Sequence, residues 1–467
     1  MVFSSMVFLF VFLPLTLLAF YVLPRPLRNP FLLLANLVFY GWGEPVYILL
    51  MLFATVVNYV FGYLIGKTRH TRPARAKIYL AAAVVISLAS LAYFKYAGFL
   101  AEIYNAIPFL PDISVPQIEL PIGISFYTFQ TMSYSIDVYR DDAPVQRSLV
   151  NFGVYVTLFP QLIAGPIVRY KDVAEQLDGE RAPVAQFAFG IRRFVIGLCK
   201  KVLIANQMGL LWDRLRPDAA TNGALAAWVG IIAYTLQIYF DFSGYSDMAV
   251  GLGSMLGFDF MENFNYPYIS RSITEFWRRW HISLSTWFRD YVYIPLGGNR
   301  VKPARMYLNL FAVWFLTGLW HGASLNFILW GLYYFVLLVI EKRFLGRYLQ
   351  RLPAFFQHLY ALLLVMIGWV LFYFDGGVGD CFAYLGVMFG GSGGLISAEA
   401  LNLAARYIPI LLVAILAATP LGSRLWKRIE GCTPAGVAEI ALCLLALALC
   451  TAVLASQSYN PFLYFKF

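Results

Sequence analysis

His321 stands in the run TGLWHGASLNF, inside an otherwise apolar stretch and flanked by Gly318 and Gly322. An imidazole has an ordinary pKa of about 6.5, and burial lowers it, so a histidine here is neutral and able to take a proton from a hydroxyl. The plainer reading is a buried hydrogen-bonding residue, and the two carry equal weight. Small flanking residues let another backbone or a substrate come close. Trp320 and Asn326, in the same run, join His321 as candidates.

A second cluster is TEFWRRWHISLSTWFRDYVYIPLGGNR, residues 274–300. At about 100° per residue, a continuous helix sorts it into faces. Arg278, His281, Ser285 and Arg289 share one; Trp277, Trp280, Leu284, Phe288 and Tyr291 share another; Arg279, Ser283, Thr286 and Asp290 share the third. Arginines with a tryptophan and tyrosine belt describe an interfacial anchor, and composition alone favours that reading. The Pro and Gly pair that follows ends the helix in a tight turn. The third cluster, YFDFSGYSDMA, places Asp241, Ser243, Tyr245, Ser246 and Asp247 inside an apolar run. Ionisable groups there cost on the order of a few kcal/mol each and mark a pathway or a site. Either neighbouring helices satisfy the cluster or it lines a water-filled cavity, in about equal measure.

The elements that must position these groups are membrane helices. The chain has 467 residues, 60% of them hydrophobic and 13% charged, with a mean hydropathy of +0.68. That is too much apolar surface for a soluble core. Apolar runs of spanning length fall near 5–23, 29–41 with 44–66, 78–100, 149–167, 186–210, 225–258, 305–322, 324–341, 356–374, 403–420 and 435–456. The expectation is an all-α polytopic fold of about ten to twelve spans. Continuous Leu- and Ala-rich runs do not alternate as barrel strands do. The stretch 225–258 is too long for one straight crossing, and Gly244, Gly251 and Gly253 offer places to bend. Residues 107–123 contain four prolines and cannot be continuous helix. The segment 387–397 reads as a flexible loop.

The net charge of +10 resides in short loops between spans, which speaks for orientation in a membrane and against nucleic acid. Residues 67–77 carry five Lys or Arg and no acid, so this loop is expected in the cytoplasm and the N-terminus outside. The first apolar run lacks a basic leader and a cleavage site and reads as a retained span. Five scattered cysteines without CxxC spacing read as free thiols, with no metal site. GxSxG, HExxH, Walker A and GxGxxG patterns are absent, which argues against a serine hydrolase, a zinc protease, an ATPase and a dinucleotide enzyme. No internal repeat or linker divides residues 1–467.

Read together, LPIGISFYTFQTMSYSIDVYR, FPQLIAGPIVRY, QIYFDFSGYSDMAVGLGSMLGF, ENFNYPYISRSITEFWRRWHISLSTWFRDYVYIPLGGNR and GLWHGASLNFILWG resemble the membrane-bound O-acyltransferase family, bacterial alginate O-acetyltransferase type. The core motifs fall within residues 121–331. The resemblance implies a ring of transmembrane helices, with re-entrant or interfacial helices, around a central tunnel in a bacterial inner membrane. It implies that His321 is catalytic and that His281 positions the donor or polarises its carbonyl. Asp241, Ser243, Asp247, Arg278, Ser285, Arg289, Trp320 and Asn326 are the tunnel and donor-site candidates. It implies no bound cofactor, an acetyl-CoA or acyl-carrier-protein thioester as donor, an extracytoplasmic SGNH-type acetyltransferase or polysaccharide-modification complex as partner, and surrounding lipid.

The terminal run SYNPFLYFKF, within residues 456–467, resembles the C-terminal tyrosine motif of the small protein that works with the D-alanyl-transferring member. On that likeness Tyr464 is a candidate acyl relay, against an aromatic interface anchor of at least equal weight. The acceptor is expected to be alginate-like exopolysaccharide or a wall glycan, with D-alanyl transfer to a wall polymer as an alternative. From other classes, an ion-coupled transporter or flippase remains open, although matched halves are lacking, as does a non-catalytic surface adaptor, which has no need of a buried His321.

Overall fold

Backbone amides in hydrocarbon must be satisfied within their own segment, and this chain answers with helices throughout. The computed structural model describes all residues except 179–181, 218, 375–376, 392–393, 430–432, 458 and 464–467. Among the described residues no strand occurs. Eight helices among the described residues are long and apolar enough to cross a membrane, and two shorter apolar ones accompany them. This is an all-α, multi-pass integral membrane protein. The chain packs as two compact units, residues 1–194 with 245–261 and residues 195–244 with 262–467.

The first unit begins with α1 (Phe8–Val22), α2 (Arg25–Gly41), α3 (Ile48–Thr68) and α4 (Pro73–Asn105). The four-proline segment between α4 and α5 (Ile124–Arg140) is non-helical, as expected. The apolar run near 149–167 does not form a span. Its helix α6 (Leu149–Thr157) stops at Leu158, whose ψ is 109°. Pro160 follows, and the freed amide of Phe159 is taken up by Asn36 Oδ1 at 3.1 Å. A buried asparagine side chain thus satisfies a chain break that hydropathy cannot reveal.

Two long helices serve both units, α7 (Val184–Leu215) and α8 (Ala219–Met255). The anticipated bend at Gly244, Gly251 or Gly253 is absent, since Gly223 is the one position of α8 with non-helical torsions. These glycines serve packing instead. A Cβ on Gly251 would meet Gly190 O at 2.6 Å, and one on Gly244 would meet Gly197 O at 2.8 Å.

The second unit holds α9 (Ile273–Arg279), α10 (Ile282–Phe288), α11 (Pro303–His321), α12 (Leu325–Leu349) and α13 (Ala354–Tyr373). It continues with α14 (Val378–Met388), α15 (Ala398–Ala417), α16 (Leu421–Ile429) and α17 (Thr433–Ser456). The expected loop 387–397 follows α14, with 392–393 outside the described residues. Helices α11 and α12 form a hairpin held backbone to backbone. A Cβ on Gly318 would lie 2.4 Å from Phe327 O, and one on Gly331 would lie 2.4 Å from Trp314 O.

Candidate active site

The sequence of α11 ends at His321 because Gly322 is extended, with φ −171° and ψ 162°, and Ser324 then caps α12 by accepting the Asn326 amide at 3.2 Å. His321 therefore sits at the turn of the hairpin, 7% exposed. Aromatic rings surround it: Trp330 and Phe372 at centroid distances of 5.0 and 5.1 Å, and Trp320 at 5.0 Å.

The basic segment is not the single helix its periodicity suggests. It breaks at Trp280 and His281, and His281 adopts a left-handed conformation, φ 46° and ψ 56°. Non-glycine residues rarely sit there, and the conformation costs about 1–2 kcal/mol. The cause is Asn263, whose Oδ1 accepts from Ser283 N at 3.2 Å and Ser283 Oγ at 2.9 Å, while its carbonyl accepts from Ile282 N at 2.9 Å. A backbone amide can only donate, so the Asn263 oxygen is an acceptor. His281 Nδ1 faces the same oxygen at 3.1 Å and therefore carries the ring proton. Its Nε2 keeps a lone pair, buried and without a hydrogen-bond partner among the described residues. Burial holds the His281 imidazole neutral, its pKa lowered to about 3.

Two cavities meet at His321. One, of about 240 Å³, is lined by Trp277, Arg278, Trp280, His281, Ser285 and His321, among others. The other, of about 30 Å³, is lined by Asp241, Trp280, His321, Trp330, Phe462 and Leu463, among others. Trp280 and His321 belong to both.

Asp241 is 2% exposed and pairs with Lys201 Nζ at 2.6 Å. The pair grips the tail: Leu463 N donates to Asp241 Oδ2 at 2.7 Å, and Lys201 Nζ donates to Pro461 O. Tyr459 OH donates to Asp213 Oδ2 at 2.7 Å, and Asn206 Nδ2 to Tyr459 O at 3.3 Å. Phe462 and Leu463 thereby reach the cavity of His321. Tyr464 lies outside the described residues.

The structure thus brings together His321, His281, Trp320, Arg278, Ser285 and Asp241. It does not bring in the others. Arg289, one turn beyond Ser285 where α10 passes into a π-helical turn (Arg289–Tyr293), is not in the cavity lining, and it pairs with Asp290 at 2.7 Å. Asp247 belongs to the first unit, where Arg193 holds it at 2.7 Å. Asn326 ties α12 to its neighbours, donating to Phe374 O and, at 2.9 Å, to Cys381 Sγ. Ser243 is buried in α8, and its Oγ has no partner among the described residues. Lys201 was missed although it is an ionisable group within an apolar run, the signal that flagged Asp241. Asn263 had no such signal.

Residues 116–377 match the model of the membrane-bound O-acyltransferase family. A protein of Pseudomonas aeruginosa described as "Probable alginate O-acetylase AlgI" is 49% identical over 377 residues, 80% of this chain and 72% of the relative. One of the same description from Pseudomonas putida is 43% identical over 493 aligned positions, covering 100% of both chains. A peptidoglycan O-acetyltransferase of Helicobacter pylori is 32% identical over 408 residues, 80% of this chain and 77% of the relative.

Proposed function

This chain belongs to the membrane-bound O-acyltransferase family, and from that premise we propose that it moves an acetyl group across a bacterial inner membrane. The donor is a cytoplasmic thioester, of acetyl-CoA or an acyl-carrier protein. The final acceptor is an extracytoplasmic polysaccharide, alginate-like or a wall glycan, reached through an SGNH-type acetyltransferase. The N-terminus lies outside.

The observation that carries this reading is the position of His321 on both cavities. A donor entering past Arg278 and Ser285 meets His321 from one side, and the acceptor meets it from the other. His321 takes the proton of the acceptor hydroxyl as its oxygen attacks the thioester carbonyl. The new C–O bond forms, the C–S bond breaks, and the thiolate leaves with the proton from His321. His281 Nε2 has a lone pair and no proton, so it suits a role as acceptor, orienting a donor amide or hydroxyl. That replaces polarisation of the carbonyl, which would need a hydrogen there.

Tyr464 is the acceptor we favour for the first transfer. Support comes from Leu463, the residue before it, which lines the cavity of His321. The phenyl ester so formed is more activated than an alkyl ester and can pass the acetyl group outward.

The test is alkali-released acetate from envelope and secreted polysaccharide of a deletion strain complemented with wild type, His321→Ala or Tyr464→Phe at matched protein level. Loss with both variants supports the relay. Loss with His321→Ala alone retains transfer and removes the relay. Unchanged acetate in the deletion strain overturns polysaccharide acetylation, and alkali-released D-alanine measured alongside would then reveal the other acyl group.

A further inference from the structure

Beside α9, an open cleft of about 440 Å³ is lined by Ile269, Arg271, Glu275, Arg279, His358, Pro420 and Arg424. Its charges do not balance. The only carboxylate of the lining, Glu275, pairs through Oε1 with Arg279 Nε and Nη2 at 2.9 Å each and through Oε2 accepts the Arg271 amide at 2.9 Å, leaving three guanidinium groups to one carboxylate. The guanidinium groups of Arg271 and Arg424 have no ion-pair partner among the described residues. Two uncompensated arginines from different elements, converging on one cleft, form an anion site for a phosphate group.

The cleft's place along the helices indicates where the phosphate comes from. His358 is in the first turns of α13, and Pro420 and Arg424 follow the end of α15. Both spans end at the cleft, so it lies at the depth of lipid headgroups. The adjoining helix α16, LGSRLWKRI, is amphipathic. Leu421 and Leu425, four residues apart on one face, are about half exposed, as are Phe356 and Leu359 on α13. Arg424, Lys427 and Arg428 carry its charge. Such a helix lies in the membrane surface with its apolar face in the acyl boundary. A soluble phosphate compound has no use for that apolar rim, whereas a phospholipid uses both parts.

We propose that this cleft binds an anionic phospholipid, with the phosphate held between Arg271 and Arg424 and the acyl chains lying along Leu421, Leu425, Phe356 and Leu359. Basic pockets beside membrane helices on the positive-inside face bind such headgroups, and Lys342, Arg343, Arg347 and Arg351 add to the charge of the sequence that leads into α13. The lipid joins the entry to α9 with α16, so it braces the helix that presents Trp277 and Arg278 to the histidine cavity.

The full chain, purified in neutral detergent, is titrated with phosphatidylglycerol, phosphatidylcholine or inorganic phosphate while its thermal midpoint is followed. Phosphatidylglycerol should raise the midpoint by several degrees and phosphatidylcholine should not. Arg271→Gln/Arg424→Gln should lose most of that rise, and Arg271→Lys/Arg424→Lys should keep a good part of it. Should the glutamine pair not fold, Arg424→Gln alone, on the exposed face of α16, gives the same comparison. An undiminished rise in the glutamine variants overturns the site. A rise with inorganic phosphate equal to that with lipid overturns the lipid and points to a soluble phosphate ligand.

Discussion

Asn263 and His281, eighteen residues apart, share one hydrogen bond of 3.1 Å that decides which nitrogen of the imidazole carries the proton. The same oxygen caps the start of α10 through Ser283, so the break in the basic segment and the tautomer of its histidine have a single cause.

Asn263→Leu should leave Nδ1 and Ser283 N without an acceptor. Each buried group so orphaned costs about 1–3 kcal/mol, and acetyl transfer should fall about tenfold or more through disorder in His281. Asn263→Asp keeps the acceptor oxygen and should retain more activity. Transfer rates and melting midpoints of the two variants check this.

The torsions of His281 discriminate among replacements. Asn tolerates the left-handed region and a β-branched residue does not, so His281→Ile should be less stable than His281→Asn by about 1–2 kcal/mol. Thermal midpoints in one detergent measure the difference.

Burial of neutral His281 also predicts a pH dependence. Its pKa is lowered on folding, from about 6.5 to about 3, so the unfolded chain binds the extra proton first. The stability linked to it is complete above about pH 6.5 and declines by about 1.4 kcal/mol per pH unit as pH falls toward the folded value. The midpoint of His281→Asn should therefore fall less than that of wild type between pH 7 and pH 4, as flagged by this shift. Parallel slopes would contradict it.

Asp241 and Lys201 are 3% and 4% exposed in their side chains. Removing one partner leaves a buried charge, so Asp241→Ala should cost about 3–5 kcal/mol, and Lys201→Met/Asp241→Leu should recover much of the loss. Melting of the single and double variants forms the cycle. Proteolysis of the tail should quicken in both, since Leu463 loses its anchor in each and Pro461 loses its own in the double variant.

The division between what was legible and what was not follows from range. The helices, the membrane and His321 could be read because hydropathy and an out-of-place imidazole are local properties. The segment around His281 could not, because a helix of the right periodicity is interrupted by an asparagine outside it. Arg289 was placed on the cavity face by α-helical periodicity and is in fact beside Asp290, where α10 passes into a π-helical turn. The run near 149–167 was counted as a span for the same reason, its break being accommodated by Asn36. Asp241 and Asp247, six residues apart in one helix, were taken as one cluster, and the fold assigns them to separate units with separate cations.

Gly318→Ala or Gly331→Ala should prevent the α11–α12 hairpin from closing, since either Cβ would meet a carbonyl oxygen that cannot swing aside. Gly377→Ala, with nothing among the described residues within 4 Å of its Cβ, should be close to neutral. Yields of folded, monodisperse protein compare the three.

The contact between α11 and α12 runs through main-chain atoms, and His321 inherits its place from them. Main chain has no rotamers to exchange. Trp277, Phe288 and Trp314, the rings that line the donor-side cavity, can therefore be altered, and that cavity reshaped for a larger or smaller acyl group, while the imidazole of His321 keeps its place. Retargeting this protein to a new donor is in that sense a matter of upholstery, with the frame left standing.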